Sequence, residues 1–111
     1  MNLLEQISLS PETIAFTDVL AYIDANFTFT PTRFANGDTV NEAGQNNGSC
    51  KIFSFATLQN LTQDQTLALF GNYYRTDVLG NPEGTDHQNI RNFMQSGWNG
   101  IKFEGEGLEG K

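Results

Sequence analysis

The stretch from Asn41 to Ala56 reads NEAGQNNGSCKIFSFA, a run of amides and glycines followed at once by an apolar segment that holds Cys50, the single cysteine of the chain. Its reading decides the fold. Ile52, Phe53, Phe55, Ala56 and Leu58 suit a buried strand nearly as well as a helix begun by Ser49. The reading adopted is a helix. NEAGQNNGS is then a glycine-shaped polar loop that delivers Ser49 as a cap, and CKIFSFATLQN is the segment it feeds into the core.

Upstream, Ser10-Pro11-Glu12 combines a side-chain cap, a proline at the first helical position and a carboxylate at the positive end of the helix dipole. Ile14, Phe16, Val19, Leu20 and Ile23 then recur at helical spacing, which predicts an amphipathic helix over 11–25. FTFT, Phe27 to Thr30, alternates as a short strand stopped by Pro31. From Pro31 to Ser49, Asn36-Gly37, Gly44 and Asn47-Gly48 mark a long connection with few large apolar residues, and long loops in small domains often carry function.

Downstream, Thr62 with Gln65 has capping-box spacing, so a second helix is expected through about Leu79, with Gly71 inside it at a close helix contact. Thr85 and Gln88 repeat that spacing before Ile90, Phe93 and Met94, which predicts a third helix over 86–95. IKFE, Ile101 to Glu104, alternates as a half-exposed strand and is the natural partner of FTFT. Residues 106–111 have too little apolar surface to stay ordered without a partner, leaving 1–105 as the folded domain. The expected architecture is α+β: three or four helices on a small antiparallel sheet of two or three strands.

A chain of 111 residues fits one domain with one core. Six Lys and Arg against thirteen Asp and Glu give a net charge of -7. That charge repels phosphate backbones and anionic lipid headgroups, so neither nucleic acid nor a membrane is an expected partner. One cysteine and one histidine exclude a disulfide scaffold and a zinc finger. Asp38, Glu42, Asp64, Asp77 and Asp86 lack calcium-loop spacing. No metal or cofactor is expected. The N-terminus has no basic region before its short apolar stretch, and no segment approaches the roughly 20 apolar residues of a membrane span, so synthesis into the cytoplasm is expected.

Two readings compete for the chemistry. In the first, Cys50 and His87 form a thiol–imidazole pair for acyl transfer or hydrolysis, with the helix N-terminus lowering the thiol pKa. Gly48-Ser49-Cys50 with Phe53, and Gln45 upstream, resembles the nucleophile segment of papain-like proteases in a few letters. Lys51 stands where that family has an aromatic residue, however, and His87 follows too closely. The second reading is a binding surface of Asn41, Glu42, Gln45 and Asn46 with His87 and Arg91, where Arg75 beside Tyr73 and Tyr74 adds a rim composition typical of binding hot spots. Binding of a protein or small-molecule ligand is the preferred reading.

FTPTRFANG, NEAGQNNGSCKIFSFA, LFGNYYRTDVL, GTDHQNIRNFM and GWNGIKFEG together resemble the HopJ family, over about Phe29 to Gly105. The resemblance implies a bacterial protein with possible type III translocation into host cells, and it brings no catalytic residues or cofactor. A bacterial cytoplasmic protein without an effector role is the alternative it leaves open.

Overall fold

The computed structural model describes residues 2–111. Helix α3, Asn47–Leu58, is its centre. Cys50, Ile52, Phe53, Ser54, Phe55 and Ala56 are all buried, so the middle of the helix is wrapped on every side, while Asn47, Thr57 and Leu58 at its ends are exposed. A stretch covered all round needs no polar face, which is why 52–56 shows no helical period. The Phe53 ring alone meets those of Phe34, Phe70, Phe93 and Trp98, at centroid distances of 6.0, 5.5, 5.0 and 6.4 Å. The helical reading of this segment holds, and the helix starts two residues before Ser49.

The helix expected over 11–25 is divided. Helix α1, Leu3–Leu9, comes first, with Asn2 Oδ1 accepting from the Glu5 amide at 2.9 Å. Ser10 ends α1 and makes no side-chain cap; Pro11–Thr13 is one 3-10 turn. Ile14 and Ala15 are extended, and α2 occupies Phe16–Asn26. Two groups hold this break open. The Arg75 guanidinium donates to the carbonyls of Ile14 at 2.5 Å and Pro11 at 3.4 Å. The Gly71 backbone lies so close that a Cβ there would sit 2.8 Å from the Phe16 nitrogen.

Helix α4, Gln63–Ala68, begins with the expected capping box: Gln65 N donates to Thr62 Oγ1 at 3.1 Å, and Thr62 N to Gln65 Oε1 at 2.9 Å. It does not reach Leu79. Gly71 adopts φ +60, which ends the helix, and the chain resumes as a π-helical turn over Tyr73–Val78. Helix α5 covers Gln88–Ser96. The expected box at Thr85 does not form, because Gln88 Nε2 turns back to the Thr85 carbonyl at 2.6 Å and His87 occupies the N-cap.

The strand pairing differs most from expectation. Strand β1, Phe27–Phe29, does not pair with IKFE. Inside the expected long loop, β2, Phe34–Asn36, and β3, Thr39–Asn41, form a hairpin across Gly37-Asp38. Strand β4, Ile101–Phe103, adds to the free edge of β2, with Phe34 opposite Phe103. Strand β5, Leu108–Gly110, takes the place beside β1, with Phe29 opposite Leu108. Residues 108–110 of the segment 106–111, expected to be disordered without a partner, are therefore paired, and the partner is β1. Leu108 is buried, and the Thr30 amide donates to the Gly107 carbonyl at 2.8 Å. The result is an α+β fold of helices and two small antiparallel sheets, of two and three strands.

Candidate functional site

Helices α3 and α5 both begin at a residue in the left-handed conformation: Asn46 at φ 51, ψ 47 and His87 at φ 52, ψ 47. Such backbone is uncommon outside glycine, and Asn and His are among the residues that tolerate it best. Neither residue turns its side chain onto the helix it starts. In α3 the first amide bonded back along the chain is Cys50 N, to the Asn46 carbonyl; in α5 it is Ile90 N, to the His87 carbonyl. The first-turn amides before them, at 47–49 and 88–89, have no acceptor among the described residues.

Both first turns open on one cleft of about 640 Å³. Asn46, Gly48 and Ser49 line it from α3, and His87, Gln88, Asn89 and Ile90 from α5. Phe16, Leu20, Phe70 and Tyr73 give it an apolar wall. The Phe16 ring stands edge-on to Tyr73 at 5.0 Å and nearly parallel to Phe70 at 6.2 Å.

Buried amides tie the two helix starts together. Asn41, at the end of β3, exchanges hydrogen bonds with Asn89 of α5: Asn41 Nδ2 donates to Asn89 Oδ1 at 3.1 Å and Asn89 Nδ2 to Asn41 Oδ1 at 3.0 Å. Asn46 Nδ2 donates to Asn41 Oδ1 at 2.7 Å, which fixes the start of α3. Asn36 Nδ2 donates to Asn89 Oδ1 at 3.0 Å and to its carbonyl at 2.8 Å. The β2–β3 hairpin thus sets the relative position of the two helices.

His87 is held by the π-helical turn. Its Nε2 lies 3.1 Å from Asp77 Oδ2, on the π-helical turn, and its ring is 5.1 Å from that of Tyr73. Asp86 Oδ2 is 3.8 Å away. Asp86 is itself engaged by Arg91 Nη2 at 2.7 Å, and this hydrogen bond holds its carboxyl below the ordinary range.

Of the residues singled out in the sequence, Asn41, Asn46 and His87 meet at this cleft. Arg91 does not join them: it braces the turn before α5, donating to the carbonyls of Asn81 at 3.0 Å and Asp86 at 2.6 Å. Glu42 pairs with Arg33 at 3.0 Å, and Gln45 Oε1 accepts from the Glu42 amide at 3.1 Å; neither lines the cleft. Arg75 spends its guanidinium on the α1–α2 connection. Cys50 is 1 % exposed, its Sγ is 3.6 Å from the Thr32 carbonyl, and burial pushes its thiol up rather than down. Its contacts lie toward Thr32, Ser54 and Gly107, whereas His87 is bonded to Asp77, so the thiol–imidazole pair is not assembled. Asn89, Asp77 and Phe16 escaped the sequence reading as site residues. Asn89 looks like an ordinary polar residue in the first turn of a helix, and its role depends on a hairpin 48 residues away.

Among the described residues, no group of three or more His, Cys, Asp or Glu is placed to hold a metal ion, and no helix is long and apolar enough to cross a membrane. A crystal structure described as that of the unknown function protein VPA0580 is similar, with 53% sequence identity and a TM-score of 0.97, over 100% of this chain and 95% of that one. The curated proteins contain no match. The family model described as HopJ type III effector protein matches residues 1–108. The chain belongs to the HopJ type III effector protein family.

Proposed function

We propose that this HopJ-family chain is a binding protein whose cleft between the starts of α3 and α5 receives a small molecule, and that it acts after type III delivery into a host cell. The observation that carries the first part is the cleft itself, where unbonded first-turn amides and a buried amide pair face an aromatic wall. Pockets of this size with a mostly apolar lining and a few convergent polar groups are the usual form of small-molecule sites. The cysteine-hydrolase alternative finds no support in the geometry, since Cys50 faces the core and away from the cleft. Type III delivery is supported by the family the chain belongs to.

The binding reading is tested by recording amide spectra of the full chain against a library of aromatic small molecules. Shifts concentrated at 46–49 and 87–90 are expected, and hits that map only to other surfaces remove the cleft as the site. For delivery, the first 30 or so residues fused to a reporter are expected to be exported by a type III apparatus. Absence of export favours a bacterial cytoplasmic role.

A further inference from the structure

We infer that the ligand of this cleft carries an oxyanion, a carboxylate or phosphate group, on a flat apolar body; this rests on the binding reading above and specifies its chemistry. The buried part of the polar face, the Asn41–Asn89 pair, offers donors without acceptors. Asn41 and Asn89 are 1 % and 7 % exposed, and both line the cleft. Each amide NH2 carries two donors, and each here uses one on the other amide's oxygen, leaving the second without an acceptor among the described residues. The oxygens are saturated: Asn41 Oδ1 accepts from Asn89 and Asn46, and Asn89 Oδ1 from Asn36 and Asn41. Thr39 Oγ1, also in the lining, accepts from Asn92 Nδ2 at 2.6 Å. A group that brings donors would find the oxygens of this buried pair already taken, and only the more exposed Asn46, Ser49 and Gln88 side chains free to accept. A group that brings several lone pairs would find spare N–H groups on two amides and on two helix starts.

Charge points the same way. The chain has thirteen Asp and Glu, yet none lines the cleft, and the two carboxylates at His87 are occupied by its ring and by Arg91. No Lys or Arg lines it either, so an anion would be held by backbone and side-chain N–H dipoles rather than by a countercharge. The helices concerned are twelve and nine residues long, so each presents a developed dipole. Phe16, whose ring lies against Gly48, supplies with Phe70 and Tyr73 a surface for a flat apolar body.

The test uses the full 15N-labelled chain and four probes: 2-naphthoate, 2-naphthyl phosphate, the neutral 2-naphthamide, and inorganic phosphate. Both naphthyl anions are expected to shift the amides of Gly48, Ser49, Gln88 and Asn89 and to bind roughly tenfold or more tightly than the amide, since charge-assisted hydrogen bonds are stronger than neutral ones. The tighter of the two anions identifies carboxylate or phosphate as the group recognised. Inorganic phosphate is expected to compete weakly at the same amides. Equal binding of naphthamide there overturns the oxyanion inference while leaving the cleft as a binding site. No shift at these four amides with any probe at millimolar concentration overturns both.

A variant keeps the result independent of probe shape. Ser49→Asp places a carboxylate in the first turn of α3, where the dipole favours it, so folding is retained. It is expected to weaken naphthoate binding roughly tenfold or more beyond any change for naphthamide, by like-charge repulsion in a partly buried site. Unchanged naphthoate affinity in Ser49→Asp overturns the inference.

Discussion

Asn41 and Asn89, 48 residues apart, face each other as a reciprocal amide pair with bonds of 3.1 and 3.0 Å. The pair joins the β2–β3 hairpin to the start of α5 and, through Asn46, to the start of α3. Each amide is therefore both a structural joint and a wall of the cleft. Asn89→Ala removes the oxygen that accepts from Asn36 and Asn41 and leaves these buried donors with fewer partners, at a cost of about 1–3 kcal/mol for a stranded buried group. Urea unfolding should show that loss. A stability change indistinguishable from zero would mean that the network adapts, and that it does not fix the two helix starts.

Gly71 is the residue that separates α4 from the π-helical turn and lets the α1–α2 connection approach. At φ +60, any other residue is strained by about 1–2 kcal/mol, and a Cβ would also sit 2.8 Å from the Phe16 nitrogen. Gly71→Ala should therefore lose at least about 2 kcal/mol. Gly110→Ala is the control, because its added Cβ meets nothing within 4 Å and its φ is not left-handed. Equal melting temperatures for the two variants would contradict the close approach.

Cys50 should behave as a core residue. Alkylation by iodoacetamide at neutral pH is expected to be at least about a hundredfold slower in the native chain than in urea, since reaction needs both opening of the fold and a thiolate. A native rate near that of an exposed thiol would restore the nucleophile reading. Burial also makes stability depend on pH. The folded thiol titrates above its ordinary value of 9.0, so the unfolded chain gives up its proton first. The stabilisation is complete below the unfolded value and is lost as the pH rises toward the folded one. Natural chain and Cys50→Ala should then converge in stability above about pH 9, and a constant difference up to pH 10.5 would contradict this.

The sequence disclosed the parts of the fold that rest on local rules. The capping box at Thr62, the α5 periodicity and the α+β class follow from residues within one or two turns of each other. It misled where a distant group decides. Pro11 to Ala25 has unbroken helical spacing, yet Arg75 and Gly71 hold Ile14 and Ala15 extended. FTFT and IKFE match in pattern, but Phe34, in a segment that reads as loop, offers β4 a fully buried partner. The site was half legible for the same reason. Amides and glycines marked the loop at 41–49, and His87 stood out by its rarity, whereas Asn89 acquires its role only through the hairpin packed against it. Arg91 and Arg75 look like binding residues because Arg is the common hot-spot residue, and here backbone carbonyls consume them.

The C-terminal segment is the sharpest case of order supplied from elsewhere. Its strand of three residues has one buried apolar side chain, Leu108 at 5 % exposure, and two-stranded sheets are marginal without a packed face. Leu108 must then carry most of the docking, with β1 contributing the backbone bonds. Leu108→Ala should cost about 2–3 kcal/mol locally, within the range for buried leucines. The loss should appear as faster hydrogen exchange at the Thr30 amide, which donates to Gly107, and at the Lys111 amide, which donates to Asn26. Exchange of Cys50 and Phe53 amides within α3 should change far less, because the central helix is held by rings from β2, α5 and the 97–100 turn. Uniform acceleration across the chain would mean that β5 is an integral part of the cooperative core.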